Sequence, residues 1–251
     1  MPPRMADGGA TGAGVRIAII DSGVQAAHPH IIADCLSPGI AILPDGTTQA
    51  DSSDRLGHGT AVAAAIQEKA PDAICMPVRV FHDALRTSAL ALLRAIDWSV
   101  MHGADIVNLS LGSTNAAHAN AFAEAAERAA RAGVMLVAAA SDAQGTLCYP
   151  GGLPDVLGVD VDWDCPRESY RWSQGTGAGA EEDLLFRASG YPRPIPGVPQ
   201  RRNLYGVSFA VAQMTGFAAR AFETLYRDMP DTKADAQRLD RVRRILLSAK
   251  R

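Results

Sequence analysis

Short apolar runs rich in β-branched residues alternate along this chain with longer segments in which apolar positions recur at helical spacing. The short runs predict buried parallel strands, because strands covered on both faces carry nearly continuous apolar sequence. Strand followed by helix at this spacing predicts an α/β fold, a doubly wound and mostly parallel sheet with helices on both faces. The predicted strands are residues 15–20, 74–80, 104–111, 134–140 and 155–161, with a short one at 184–186; the predicted helices are residues 57–66, 87–102, 115–132, 209–222 and 235–247.

Two stretches and the N-terminus do not follow this pattern. Residues 33–55 and 163–202 are rich in Pro, Gly and charged residues, which predicts irregular loops. Residues 1–14 lack the apolar run of a secretory signal, so we interpret them as a flexible leader. Residues 15–251 show no internal repeat and are interpreted as one domain.

The composition limits the classes of partner. Apolar residues make up 47% of the 251 residues, and the formal net charge is -3 at pH 7. This balance gives no reason to expect nucleic acid or an anionic membrane as a partner. No apolar run approaches the length that spans a bilayer.

Cysteine usage bears on the compartment. Cys35, Cys75, Cys148 and Cys165 lack the spacing of a metal site. A pair between Cys148 and Cys165 is one interpretation, but free thiols are favoured in a chain without an export signal. We therefore expect the protein to be cytoplasmic.

Three residues of the types used in nucleophilic catalysis stand at the edges of predicted elements. Asp21 follows the first strand, at the carboxyl end where α/β sheets build their sites. His58 lies at the start of the first helix, and Ser208 lies at the start of the Ala-rich helix near the end of the chain. Taken alone, Ser208 is more simply a helix N-cap. Together the three residues predict a nucleophile, a general base and an orienting carboxylate.

The order of the residues excludes two other enzyme classes. The segment around Ser208 loosely resembles a nucleophile elbow, but an α/β-hydrolase needs its His after the Ser, and the last His here is His118. The glycines of residues 8–14 precede the first strand, whereas a dinucleotide-binding loop follows it. The histidines other than His58 are interpreted as surface or capping residues: His28, His30, His82, His102 and His118.

Four motifs, in this order, resemble the signature blocks of the subtilisin-like serine peptidases. They are Ile19-Ile-Asp-Ser-Gly-Val24 with His28-Pro29, His58-Gly-Thr60, Asn108-Leu-Ser-Leu-Gly112 and Gly206-Val-Ser-Phe-Ala210. The similarity covers nearly the whole chain from Val15. It implies a seven-stranded parallel sheet and a catalytic triad of Asp21, His58 and Ser208. It also implies a monomeric serine endopeptidase that uses neither a metal nor an organic cofactor.

The resemblance implies where a peptide or protein substrate binds. An extended substrate would pair with an edge segment formed by Ser110, Leu111 and Gly112, a mode in which backbone hydrogen bonds hold the peptide. The residue before the scissile bond, P1, would lie against a wall formed by Ala138, Ala139, Ala140 and Ser141. Such a wall suggests small-to-medium apolar P1 side chains.

One position departs from the family pattern in a way that bears on catalysis. The family usually takes an oxyanion-hole donor from an Asn, but Asp142 stands there, and an ionised carboxylate only accepts hydrogen bonds. Three outcomes stay open: a protonated Asp142 that donates, a shifted loop in which Ser141 or a backbone N–H donates, or a weak or inactive peptide-binding protein of the same fold. We expect retained activity because all three triad residues are present.

Two further departures concern regulation and metal binding. The family often carries a calcium-binding loop after the His helix, whereas residues 67–72 pass almost directly to the next strand. Acidic residues at 160, 162, 164 and 181–183 are most simply a solvated loop, so we expect no metal site. A peptidase without an inhibitory propeptide needs another restraint. This motivates the hypothesis of a dedicated processing protease, for example one that removes a leader from a precursor peptide; a housekeeping peptidase is an equal alternative.

Overall fold

The computed structural model describes residues 9–174, 184–229 and 237–248. Its strands are β1 (Arg16–Asp21), β2 (Ile40–Ile42), β3 (Thr48–Gln49), β4 (Ile74–Arg79), β5 (Ile106–Leu109), β6 (Met135–Ala139), β7 (Leu157–Val161), β8 (Tyr170–Gln174) and β9 (Leu184–Ala188). Its helices are α1 (His58–Lys69), α2 (Ala89–Met101), α3 (Ala119–Arg131), α4 (Val207–Asp228) and α5 (Arg238–Ser248). Short 3₁₀ helices cover Ala33–Cys35, Ala116–His118 and Gln200–Arg202.

The described strands form one sheet in the order β3-β2-β4-β1-β5-β6-β7-β9-β8. The seven strands from β2 to β9 in this order are parallel. The edge strands β3 and β8 pair antiparallel with their neighbours. The predicted doubly wound parallel sheet is confirmed, with two antiparallel edge strands added to the seven that were expected.

The sheet separates the core into two halves, and alternating residues of the central strand β1 point into one half or the other. Ile17 and Ile19 of β1 belong to the half covered by α1, α4 and α5. Ala18 and Ile20 belong to the half covered by α2 and α3. All four side chains are buried, because successive residues of a strand point to opposite faces of a sheet that is covered on both sides.

The chain reverses its direction of sheet growth at β1. After β1 it adds β2 and β4 on one side, and it then crosses to β5 on the other side. The carboxyl end of β1 therefore lies at the switch point where open α/β sheets bind their ligands. Asp21 is the last residue of this strand.

The structure differs from the sequence expectations mainly in the predicted loops. β2, β3 and β8 lie in stretches that were expected to be irregular. Of the predicted last helix, residues 235 and 236 lie outside the described residues, and α5 begins at Arg238. In the part of the chain assigned to a leader, residues 1–8 are not described, and the N–H groups of Thr11, Gly12 and Ala13 donate to the Glu223 carboxylate of α4.

The four cysteines are free thiols, of which Cys75, Cys148 and Cys165 are buried. The Cys148–Cys165 pair that the sequence left open is therefore absent, and the favoured interpretation is confirmed. No helix among the described residues combines the length and the hydropathy that crossing a bilayer requires.

Candidate active site

A buried carboxylate and an imidazole meet at the carboxyl end of β1. His58 Nδ1 lies 2.7 Å from Asp21 Oδ1, and the Asp21 side chain is fully buried. The same carboxylate oxygen accepts the backbone N–H of Ser22 at 2.7 Å. Because a carboxylate only accepts hydrogen bonds, the His58 proton is on Nδ1. This leaves Nε2 as the acceptor of the neutral ring.

Two glycines bring the start of α1 to this strand end. Gly57, just before His58, has φ 81°, in the left-handed region that favours glycine. At Gly59 a Cβ would lie 2.2 Å from the carbonyl oxygen of Gly23, so only glycine allows the helix to approach this closely. The contact between His58 and Asp21 depends on that approach.

Asp54 anchors the first turn of α1 and was not singled out by the sequence. Its carboxylate accepts the backbone N–H groups of Leu56, Gly57 and Thr60, each at 2.9 Å. It also accepts the hydroxyls of Ser22 and Thr60. Asp54 therefore joins the turn after Asp21 to the helix that carries His58. An Asp shortly before a helix is a recognisable capping signal.

The charges around His58 favour its protonated form. Burial acts to lower the pKa of His58, but the hydrogen bond and charge of Asp21, with the charge of Asp54, outweigh burial and raise that pKa above its ordinary value. The ring also lies beside Phe209 of α4, with ring centroids 5.7 Å apart. The imidazole is thus next to the first turn of the helix that carries Ser208.

Ser208 lies in the first turn of α4, after a glycine with an unusual backbone. Gly206 has φ 153° and ψ 176°, a region occupied almost only by glycine. The Ser208 hydroxyl donates to the carbonyl oxygen of Ser110 at 3.0 Å. Between the described side chains of Ser208 and His58 no hydrogen bond forms. The nucleophile candidate is therefore turned toward β5, beside a preformed pair of His58 and Asp21.

A polar chain links β5 to α4 beneath the serine. The Thr215 hydroxyl donates to Asn108 Oδ1 at 2.9 Å, and Asn108 Nδ2 donates to Ser110 Oγ at 2.9 Å. These groups are buried, and each is satisfied by a partner, as buried polar groups generally are. These hydrogen bonds hold the start of α4, which carries Ser208, against the end of β5. Thr215 was not identified from the sequence.

The segment after β5 leaves backbone groups available for an added strand. Ser113 pairs with Tyr149 through two backbone hydrogen bonds. With the described residues, however, the N–H and C=O groups of Leu111 and Gly112 form no hydrogen bond. A Cβ at Gly112 would lie 2.8 Å from the Cβ of Cys148, so the segment packs directly on the next loop. An extended peptide can satisfy such an open edge.

The predicted P1 wall comprises the last two residues of β6 and the two residues that follow it. Ala138, Ala139 and Ala140 are buried, and Ser141 is half-buried. The Ser141 hydroxyl donates to Asp160 Oδ1 at 2.6 Å, so it is not available as a replacement oxyanion donor in this arrangement. A cavity of about 490 Å³ opens on Ala140 and Ser141. None of the predicted edge residues, Ser110 to Gly112, lines that cavity.

Asp142 closes a tight turn with its own carboxylate. Its Oδ1 accepts the backbone N–H of Gln144 at 2.9 Å and that of Thr146 at 2.8 Å, while its own N–H donates to Thr146 O. The hydrogen bond from Thr146, together with that from Gln144, lowers the pKa of the Asp142 carboxyl below its ordinary value. This favours the ionised form of Asp142 at neutral pH over a protonated side chain that donates.

Two of the acidic residues considered for a weak cation site have other partners, and three lie outside the described residues. Asp160 accepts from Ser141, and Asp162 pairs with Arg171. Residues 181–183 are not among those described. Within residues 9–174, 184–229 and 237–248, no group of three His, Cys, Asp or Glu side chains is arranged to hold a metal ion.

A buried Asp–His pair beside a serine at a helix N-terminus defines the candidate site of this doubly wound α/β protein. The subtilase family (peptidase S8) model matches residues 12–250, and the chain belongs to this family. Subtilisin E of Bacillus subtilis (strain 168) is 26% identical over 255 residues, covering 96% of this chain and 62% of that protein. This chain thus spans less than two thirds of the length of subtilisin E.

Two further comparisons agree with this assignment. Subtilisin DY of Bacillus licheniformis is 28% identical over 226 residues, covering 84% of this chain and 77% of that protein. The structure of the prenylagaramide maturation protease PagA is similar, with a TM-score of 0.65 and 27% identity, covering 90% of this chain and 81% of that one. The recognition made from the four motifs is confirmed at the level of the family.

Proposed function

We propose that this protein is a serine endopeptidase that hydrolyses peptide bonds through an acyl-enzyme on Ser208. Ser208 Oγ attacks the scissile carbonyl carbon while His58 Nε2 takes the hydroxyl proton. His58 then returns this proton to the leaving amine, and water hydrolyses the ester with His58 again as the base. Asp21 keeps the ring proton on Nδ1 and stabilises the imidazolium that forms.

The observation that carries this proposal is the buried contact of 2.7 Å between His58 Nδ1 and Asp21 Oδ1. It holds the one tautomer in which Nε2 accepts a proton. In the proposed reaction the Ser208 hydroxyl turns toward that nitrogen by rotation about its χ1 torsion, which breaks the hydrogen bond of 3.0 Å to Ser110 O.

The oxyanion would be stabilised mainly by the start of α4. The Ser208 N–H lies in the first turn of that helix and has no hydrogen-bond partner among the described residues. N–H groups at a helix N-terminus and the helix dipole both favour a negative charge. The resemblance implies that the Asp142 carboxylate would stand in place of the second, amide donor of the family and would repel the same charge. We therefore propose a low intrinsic rate.

We further propose that the natural substrate is a precursor peptide from which this enzyme removes a leader. The similarity to PagA, a protein described as a maturation protease, supports this narrower function. A low intrinsic rate supports it too, because a slow enzyme acts efficiently only on substrates that its binding surface holds well. The substrate would lie as an extended strand on the open backbone groups of Leu111 and Gly112.

Covalent labelling with a fluorophosphonate tests the reaction class. Wild-type protein should be labelled at Ser208, and the Ser208→Ala variant should not be labelled. Ser99→Ala is a matched control, because Ser99 is buried in α2 and donates to Ala95 O, so labelling should persist in it. Folded wild-type protein that is not labelled between acid and mildly alkaline pH would refute the proposal and favour a peptide-binding protein of the same fold.

A further inference from the structure

A cavity of about 370 Å³ lies between α1, the turn after β1 and the loop that precedes α4. Gly57 and Thr60 form its α1 side, and Arg193, Ile195 and Leu204 form its loop side. We refer to it as the Arg193 cavity. Two of the histidines that were interpreted as surface residues, His28 and His30, also line it.

The Arg193 cavity adjoins the segments that carry the reacting residues but not the substrate edge. Gly57 adjoins His58, and Leu204 precedes Ser208 by four residues. Ser110, Leu111 and Gly112 do not line it. Under the proposed function, the residues before the scissile bond pair with that edge segment. The chain then passes Ser208, and the residues after the bond reach the cavity.

Arg193 contributes a positive charge to this cavity. Its side chain is half-buried and donates from one nitrogen to His30 O at 3.1 Å. With the acidic residues that the structure describes, Arg193 forms no ion pair. A guanidinium has five N–H donors, so most of its hydrogen-bonding capacity is not used by the residues that the structure describes.

The other charged residues of the cavity form no ion pair with Arg193 among the residues that the structure describes. Asp54 is the acidic lining residue, and hydrogen bonds from Ser22, Leu56, Gly57 and Thr60 hold its carboxylate on the α1 side. Arg55 pairs with Asp51 at 3.2 Å. Burial lowers the pKa of His30, and the positive charge of Arg193 lowers it further, against the opposing effect of the Glu68 carboxylate.

We propose that the Arg193 cavity binds an acidic side chain among the first three substrate residues after the scissile bond. The carboxylate pairs with the Arg193 guanidinium, while Ile195 and Leu204 contact the aliphatic part of that residue. A half-buried guanidinium without an anionic partner recognises a carboxylate in this way, through charge-assisted and often bidentate hydrogen bonds. This inference rests on the proposed function for the direction in which the substrate lies.

Binding measured without catalysis tests the pocket. The probes are fluorescein-labelled peptides of four alanines followed by three Glu, three Gln or three Lys. With Ser208→Ala, fluorescence anisotropy should give a Kd about tenfold lower for the Glu peptide than for the Gln peptide. This factor corresponds to the lower end of the range for a hydrogen bond to a charged group, because Arg193 is partly exposed. The double variant Ser208→Ala/Arg193→Gln should lose this preference.

Arg202→Gln is the matched control, because it removes the same charge from the same loop at an exposed residue that does not line the cavity. It should retain the preference. In wild-type enzyme, fluorogenic peptides that differ only in the residues after the cleavage site should be cleaved with a higher kcat/KM when those residues are Glu than when they are Gln. Arg193→Gln should abolish that order but leave fluorophosphonate labelling unchanged, because this probe has no residues after the reacting atom.

Equal Kd values for the Glu, Gln and Lys peptides would overturn the inference, and so would a Glu preference that survives Arg193→Gln. Absence of Ser208 labelling would instead overturn the proposed function. The anisotropy comparison still reports on the cavity in that case. The two failures are therefore distinguishable.

Discussion

Replacing Asp142 by Asn tests whether this carboxylate limits catalysis. The turn of residues 142–146 should persist, because Asn Oδ1 accepts the N–H groups of Gln144 and Thr146 as Asp142 Oδ1 does, at 2.9 and 2.8 Å. The second carboxylate oxygen becomes an NH₂ group. The substitution therefore changes an acceptor into a donor and removes a negative charge, with the backbone in place.

The size of the effect follows from what one oxyanion donor contributes. Loss of such a donor typically lowers kcat by about 10²–10³-fold. The Asp142 side chain is in contact with solvent, which weakens its interaction with the oxyanion. We therefore expect Asp142→Asn to raise kcat/KM by about 10- to 100-fold, with most of the gain in kcat. Asp142→Ala removes the charge without adding a donor, so its gain should be smaller.

The assay is peptide cleavage at several pH values, with fluorophosphonate labelling and thermal unfolding measured in parallel. The Asp142 pKa is lowered, so the carboxylate is ionised from mildly acid to alkaline pH, and the gain should be nearly constant over this range. Wild-type activity should not increase on acidification. An Asp142→Asn variant with a wild-type melting temperature and no faster cleavage at any pH would show that residue 142 does not face the oxyanion.

Two further substitutions test how His58 is positioned and charged. In Gly59→Ala the new Cβ would lie 2.2 Å from Gly23 O, which pushes α1 away from β1; labelling of Ser208 should slow by about 10²-fold. Gly103→Ala is the control, because it places Ala at φ 73° with no atom within 4 Å of the new Cβ. It should lower the melting temperature but leave the labelling rate unchanged. Equal labelling rates of the two variants would contradict the role of Gly59. The second substitution is Asp54→Asn, which tests the charge that acts on His58. In wild-type protein the pKa of His58 is raised, so kcat/KM should rise with pH through a midpoint above about 6.5, where the ring loses its proton. Asp54→Asn removes a charge that raises this pKa, so the midpoint should move to lower pH; an unchanged or higher midpoint would contradict this assignment.

The parts of the fold that were predictable are those with a long or repeated pattern. The central parallel strands have nearly continuous apolar sequence, and the helices have clear periodicity. β2 and β3 contain three and two residues, too few for any period to appear. β8 alternates Tyr170 and Trp172 with polar residues, but it lies in a segment dominated by Gly, Pro and charge. Its pairing with β9 becomes visible only in the sheet.

The site shows the same division between local and long-range information. The types and order of Asp21, His58 and Ser208 predicted from the sequence alone that these residues lie together at one edge of the sheet. Asp54 carried a capping signal, but its hydrogen bond to Ser22 depends on a loop of more than thirty residues folding back to β1. Arg193 carried no signal, because its lack of an anionic partner is a property of the folded loop.

The packing of α1 on α4 determines how far the base lies from the nucleophile. His58 and Ser208 each lie in the first turn of a helix, and both helices cover the same face of the sheet. The helices approach so closely that a Cβ at Gly216 of α4 would lie 2.5 Å from the Cβ of Lys69 in α1. Larger residues at this interface would separate the two axes, and with them the imidazole and the hydroxyl. The small-residue composition that predicted two helices therefore also sets the geometry on which proton transfer depends.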